Sequence, residues 1–92
     1  MKKVILYGVG SVELRRDAEY FMDDEYEIVG YSDSHYSYDS LDGAAFYPPE
    51  ALCHQPVDYV VLLAFQESVL TQMREYLLSL NVRSEKIIAP TI

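Results

Sequence analysis

Ninety-two residues make one small domain, and a globule of that size buries only about 60–65% of its unfolded surface without a partner. Half of the residues are apolar, which excludes disorder; seven basic against fifteen acidic residues leave a net charge of −8, which excludes a nucleic-acid surface built on clustered Lys and Arg. The lone Cys53 excludes an internal disulfide, and the longest apolar run, Tyr59 to Phe65, is too short to cross a bilayer; with no leader peptide before the first apolar run, a cytoplasmic chain without membrane insertion is expected.

Residues 3–8 read as a strand of continuous Val, Ile, Leu and Tyr without polar alternation, as in parallel strands covered on both faces. Gly8-Val9-Gly10 breaks the run, and residues 11–23 carry a helical pattern. Ser11 is a candidate N-cap, and Leu14, Ala18, Phe21 and Met22 share one stripe. A second strand is expected over 26–32, with Gly30 marking a close approach of neighbouring backbone. Residues 33–43 have no period and read as a Ser-, Tyr- and Asp-rich loop. A short third strand follows at 44–47. Pro48-Pro49-Glu50-Ala51-Leu52 then opens a short helix, Pro49 standing where a missing N–H costs nothing. Residues 57–64 form the fourth strand. A helix over 67–80 follows, with Val69, Met73, Tyr76, Leu77 and Leu80 on its buried stripe and Asn81 as a left-handed stop. A last strand at 86–89 ends at Pro90.

This alternation predicts an α/β domain: a three-layer, Rossmann-like fold with a mostly parallel sheet of four or five strands and helices on both faces. The expected strand order is 3-2-1-4-5, with 44–47 on one edge and 86–89 on the other. The switch point falls between the first strand and the 57–64 strand, so a ligand is expected above their carboxyl ends. Its contacts would be Gly8, Val9, Gly10 and Ser11 on one side and Ala64, Phe65 and Gln66 on the other.

A strand that breaks into Gly-x-Gly and then a helix delivers main-chain N–H groups to an anion. Asp33 lies about 20 residues beyond the turn, at the end of the second strand, where a carboxylate accepts paired bonds from a ribose diol. The plainer reading of Asp33 is a turn aspartate, and that of the glycines a simple change of chain direction. Glu13 occupies the third position of the G-x-G-x-x-G pattern, where its charge suits the helix dipole and competes with a phosphate. Arg15 and Arg16 could offset it or stand in solvent beside Asp17 and Glu19. The 31–40 loop holds Tyr31, His35, Tyr36 and Tyr38, residues able to stack on a base, form a lid or support self-association. His35 and His54 lack partners at metal-ligand spacing, and Cys53 and His54 do not face each other on a helix, so neither a metal site nor a catalytic residue is expected.

From residue 2 to 89 the chain resembles the Rossmann-like nucleotide-binding module that begins many bacterial sugar N- and O-acetyltransferases. Related modules accompany nucleotide-sugar dehydratases and epimerases, glycan methyltransferases and the nicotinamide-binding half of sugar oxidoreductases. The segments that carry the likeness are Val4 to Gly10, Tyr26 to Asp33, Tyr47 to Leu52, Val57 to Ala64 and Lys86 to Ile88. The resemblance implies Gly8, Gly10 and Asp33 as binding positions for a UDP-sugar, or for NAD(P) in the oxidoreductases, and implies no catalytic residue. Three functions are therefore open. One is a small nucleotide-binding module for a nucleotide sugar or related dinucleotide, working as a homo-oligomer or with a separate enzyme subunit. The second is a degenerate domain kept for assembly without a ligand. The third is half of an NAD-dependent oxidoreductase.

Overall fold

The computed structural model describes residues 1–10, 16, 25–35, 40–41, 43–64 and 66–89. In chain order these form β1 (Lys2–Tyr7), β2 (Tyr26–Ser32), β3 (Ser40–Leu41), β4 (Ala44–Tyr47), a 3-10 turn (Pro49–His54), β5 (Tyr59–Leu62), α1 (Glu67–Ser79), a second 3-10 turn (Ser84–Lys86) and β6 (Ile87–Ile88). They make one sheet in the order β3-β4-β2-β1-β5-β6, parallel throughout except for the β3·β4 pair. With β3 set aside, this is the expected 3-2-1-4-5 order of a Rossmann-like α/β fold.

Three elements differ from the sequence expectation. β3 falls within the stretch expected to be a loop: Leu41 pairs with Ala44, and Gly43 turns the chain at φ +80°. Its sequence signal is the Asp42-Gly43 dipeptide, a two-residue hairpin turn. β5 and β6 are shorter than expected. Asp58, just before β5, leaves the ladder for a reciprocal tie with Lys3: its N–H donates to the Lys3 carbonyl at 2.8 Å, and its Oδ2 accepts from the Lys3 N–H at 2.7 Å. The helix expected over 11–23 lies outside the described residues, apart from Arg16, which is helical and exposed.

The central strands are apolar on both sides because both faces of the sheet are buried. Ile5 and Tyr7 of β1 and Val60 and Leu62 of β5 face Leu77 of α1 and Leu52 of the first 3-10 turn. Val4, Leu6, Val61 and Leu63 face the opposite way, together with Val9 and Tyr31. This is the two-residue period of a pleated strand. The period breaks once. Val4 pairs with Ile28 but Ile5 pairs with Gly30, so Val29 is an extra residue in β2. The bulge rotates the end of β2 by one position. Tyr31, expected among the loop residues, instead joins Leu6 in the second core and is 3% exposed.

Gly30 lies beside Tyr47 of β4, as the close approach anticipated at that glycine requires. A β-carbon there would come within 2.7 Å of the Tyr47 ring and 3.1 Å of the Ala45 carbonyl oxygen. Asn81 ends the helix at φ 69°, as expected. Gly30→Ala should therefore cost about 1–3 kcal/mol through forced displacement of the ring and strand, read as a lower denaturation midpoint in urea. At the helix end, Asn81→Val should lose about 1–2 kcal/mol because a β-branched residue resists the left-handed region, whereas Asn81→Gly should hold the wild-type midpoint.

Candidate functional site

β1 and β2 end side by side, and their register builds the site. Tyr7 pairs with Ser32, and the next N–H, that of Gly8, donates to the Ser32 carbonyl at 2.9 Å. Gly8 takes φ +95°, and a β-carbon there would sit 2.8 Å from Met73 Cε and 3.1 Å from the Leu63 carbonyl oxygen. Both conformation and space therefore demand glycine. Beyond the register, Asp33 ties the two strand ends together. Its Oδ2 accepts from the Gly10 N–H at 3.2 Å and its Oδ1 from the His35 N–H at 2.7 Å. The second bond is the local turn made by an aspartate onto the residue two further on; the first crosses to the glycine turn. Asp33 is only 8% exposed.

The expected Gly8, Gly10 and Asp33 thus come together. Val9 lies between the glycines with its side chain in the core, leaving only its main chain for a ligand. Ala64 and Gln66 follow the end of β5; Gln66 is exposed, and its carbonyl receives the first N–H groups of α1 from Val69 and Leu70. Ser11 and Phe65, like Glu13, Arg15, Tyr36 and Tyr38, lie outside the described residues.

Two cavities flank the 33–35 turn. The larger, about 360 Å³, runs from Tyr7, Gly8 and the turn to one stripe of α1 made by Val69, Gln72, Met73 and Tyr76. The smaller, about 220 Å³, lies on the other side of the turn against Phe46, Pro48, Pro49 and Glu50. Asp33, Ser34 and His35 line both. Tyr76, expected on the buried stripe, is 41% exposed at the mouth of the larger cavity. Sequence reasoning missed Gln72, Met73 and Tyr76 as site residues. The available signal was an amide on the same helical stripe as three large side chains.

The larger cavity, among the described residues that line it, carries the formal charge of Asp33 and no Lys or Arg. Its floor is the Tyr7 phenol, which burial pushes above the usual tyrosine range; a hydrogen bond with the Ser34 side chain draws it back, and Tyr76 and Asp33 push it further up. Ser32, in register with both Tyr7 and Tyr47, is fully buried, and its Oγ has no hydrogen-bond partner among the described residues. Among the described residues no three His, Cys, Asp or Glu side chains gather as a metal site, and no helix is long and apolar enough to cross a membrane. Cys53 makes a 3.8 Å contact from Sγ to the Glu50 carbonyl and lines neither of the two cavities.

Tyr7 gives a pH signature. Above pH of about 10 the unfolded chain ionises this phenol while the folded chain keeps it protonated, so its contribution to stability is complete below that pH and lost as pH rises through the folded value. Tyr7 should therefore ionise late in an alkaline absorbance titration of the folded protein. Tyr7→Phe should remove that late step and flatten the fall of stability above pH of about 10.

Residues 1–88 match the family described as C2185-like, N-terminal. Among solved structures, the chain is similar to UDP-D-quinovosamine 4-dehydrogenase from Vibrio fischeri, with a TM-score of 0.61 and 23% sequence identity over 99% of this chain and 80% of that one. No curated protein matches it. At that identity the solved structure speaks for the fold, whereas the family match spans nearly the whole sequence: the chain is a member of the C2185-like, N-terminal family.

Proposed function

We propose that this chain is a small nucleotide-binding module for a nucleotide sugar or a related dinucleotide, serving a glycan- or sugar-modifying enzyme carried by another subunit or chain. The observation that carries this reading is the meeting of Gly8, Gly10 and Asp33 at the ends of β1 and β2, with a cavity on each side of the acid. A carboxylate at the end of the second strand is the acceptor that suits the two donors of a ribose diol. Phe46, Pro48 and Pro49 offer the smaller cavity an apolar wall for a flat base. The Rossmann-like fold shared with a UDP-sugar dehydrogenase supports a nucleotide ligand of this general kind. The resemblance read in the sequence to acetyltransferase modules is the ground for proposing a UDP-sugar ahead of NAD(P). No residue of the site is assigned a catalytic role.

A second reading rests on the same acid. The Gly10 N–H already binds a carboxylate, an internal anion where a phosphate would otherwise be received. A domain retained for assembly, without a ligand, would tolerate that arrangement.

Calorimetric titration with UDP-sugars, nicotinamide dinucleotides and coenzyme A separates the readings. Saturable binding of a UDP-sugar is expected, abolished by Gly10→Arg and weakened about tenfold or more by Asp33→Ala. Unchanged affinity in both variants overturns the site, and flat traces across the panel establish the assembly reading in its place.

A further inference from the structure

We propose that the larger cavity, between the strand ends and α1, is the subsite for the glycosyl half of the nucleotide sugar, with Gln72 and Tyr76 as the residues that read it. This rests on the nucleotide-sugar reading above and adds which part of the ligand goes where.

The cavity's chemistry makes the assignment. A nucleotide sugar has an aromatic base, a doubly charged diphosphate and a neutral, hydroxyl-rich ring. The diphosphate fits the interior poorly: among the described residues no Lys or Arg lines it, Asp33 adds a negative charge, and the whole chain carries −8. What the cavity does present is neutral hydrogen-bonding capacity beside apolar surface. Tyr7, Ser34 and Tyr76 bring hydroxyls, Gln72 an amide with two donors and an acceptor, and Met73 an apolar wall. That mixture suits a ring with C–H faces and hydroxyl edges, and a volume of about 360 Å³ falls within the range of small-molecule sites. The Tyr7 phenol is protonated at neutral pH and so carries a donor as well as an acceptor.

The helix is shaped for this. Residues 69, 72, 73 and 76 fall on one face of α1, at spacings of three and four. Lower on the helix Leu77 is completely buried, but at the cavity Gln72 and Tyr76 stay exposed. Met73 packs against the core and lines the cavity at once, and the Gln72 amide and Tyr76 phenol stand at the open edge of the same face.

The test compares UDP-N-acetylglucosamine with UDP by calorimetry, using Gln72→Ala, Tyr76→Ala and Tyr76→Phe. Both positions are exposed, so the variants should fold, which a thermal melt verifies. Gln72→Ala and Tyr76→Ala should each weaken the sugar nucleotide about five- to tenfold while leaving UDP within about twofold of wild type. Tyr76→Phe divides the ring's contribution from the hydroxyl's. Equal losses for both ligands, or no loss for either, overturn the glycosyl assignment and leave the nucleotide reading standing. Failure of the wild-type chain to bind either ligand overturns both.

Discussion

One extra residue governs the upper end of this molecule. Val29 swells β2 between two otherwise regular stretches of parallel pairing, and every residue after it faces opposite to where a strict alternation would point it. Tyr31 goes into the core with Leu6. Ser32 comes level with Tyr7, its carbonyl takes the Gly8 N–H, and Asp33 emerges within reach of Gly10. A slip of one position would instead set Tyr31 beside Tyr7 and offer Asp33 to a different part of the turn. The site therefore depends on a backbone irregularity as much as on the residues that line it.

The polar chemistry at the end of the sheet is economical. A single largely buried carboxylate serves two main-chain donors from segments far apart in sequence. Hydrogen bonds to a charged acceptor are stronger than neutral ones, and their loss leaves buried donors without partners. Asp33 is thus at once a strut between the glycine turn and the 33–35 turn and a potential ligand group. The surroundings are mildly hostile to anions, which shifts the demand for phosphate binding onto main-chain N–H groups.

Much of the fold was legible because the strong elements have strong patterns. β1 is an unbroken apolar run, β2 spans 26–32 as anticipated, α1 follows its helical stripe, and Asn81 stops it in the left-handed region. The Gly-x-Gly turn and the acid at the end of β2 could be paired by spacing alone, and they meet in space. What escaped was whatever depends on phase or divergence. A bulge cannot be counted from hydropathy, so Tyr31 read as a loop aromatic. The stripe of α1 looks periodic throughout, so Tyr76 read as core, although it stands at the mouth of the cavity. Gln72 resembled an ordinary solvent-facing residue, and its meaning appears only when Tyr7 and Ser34 are seen across the cavity. β3 was overlooked although Asp42-Gly43 signals a hairpin, because two residues are too few to show alternation.

The lateral margins of the sheet carry one further consequence. Among the described residues its outer strands, β3 and β6, are each two residues long. β6 is also tied inward, Arg74 of α1 donating to the Ile87 carbonyl at 3.3 Å and to Ser84 Oγ at 2.8 Å. Margins this short present few unpaired main-chain groups for another strand to copy. Two molecules meeting edge to edge would gain little from prolonging the ladder. As far as the described residues go, an association of this domain would have to draw on side chains of a face, where sequence can specify it, more than on backbone.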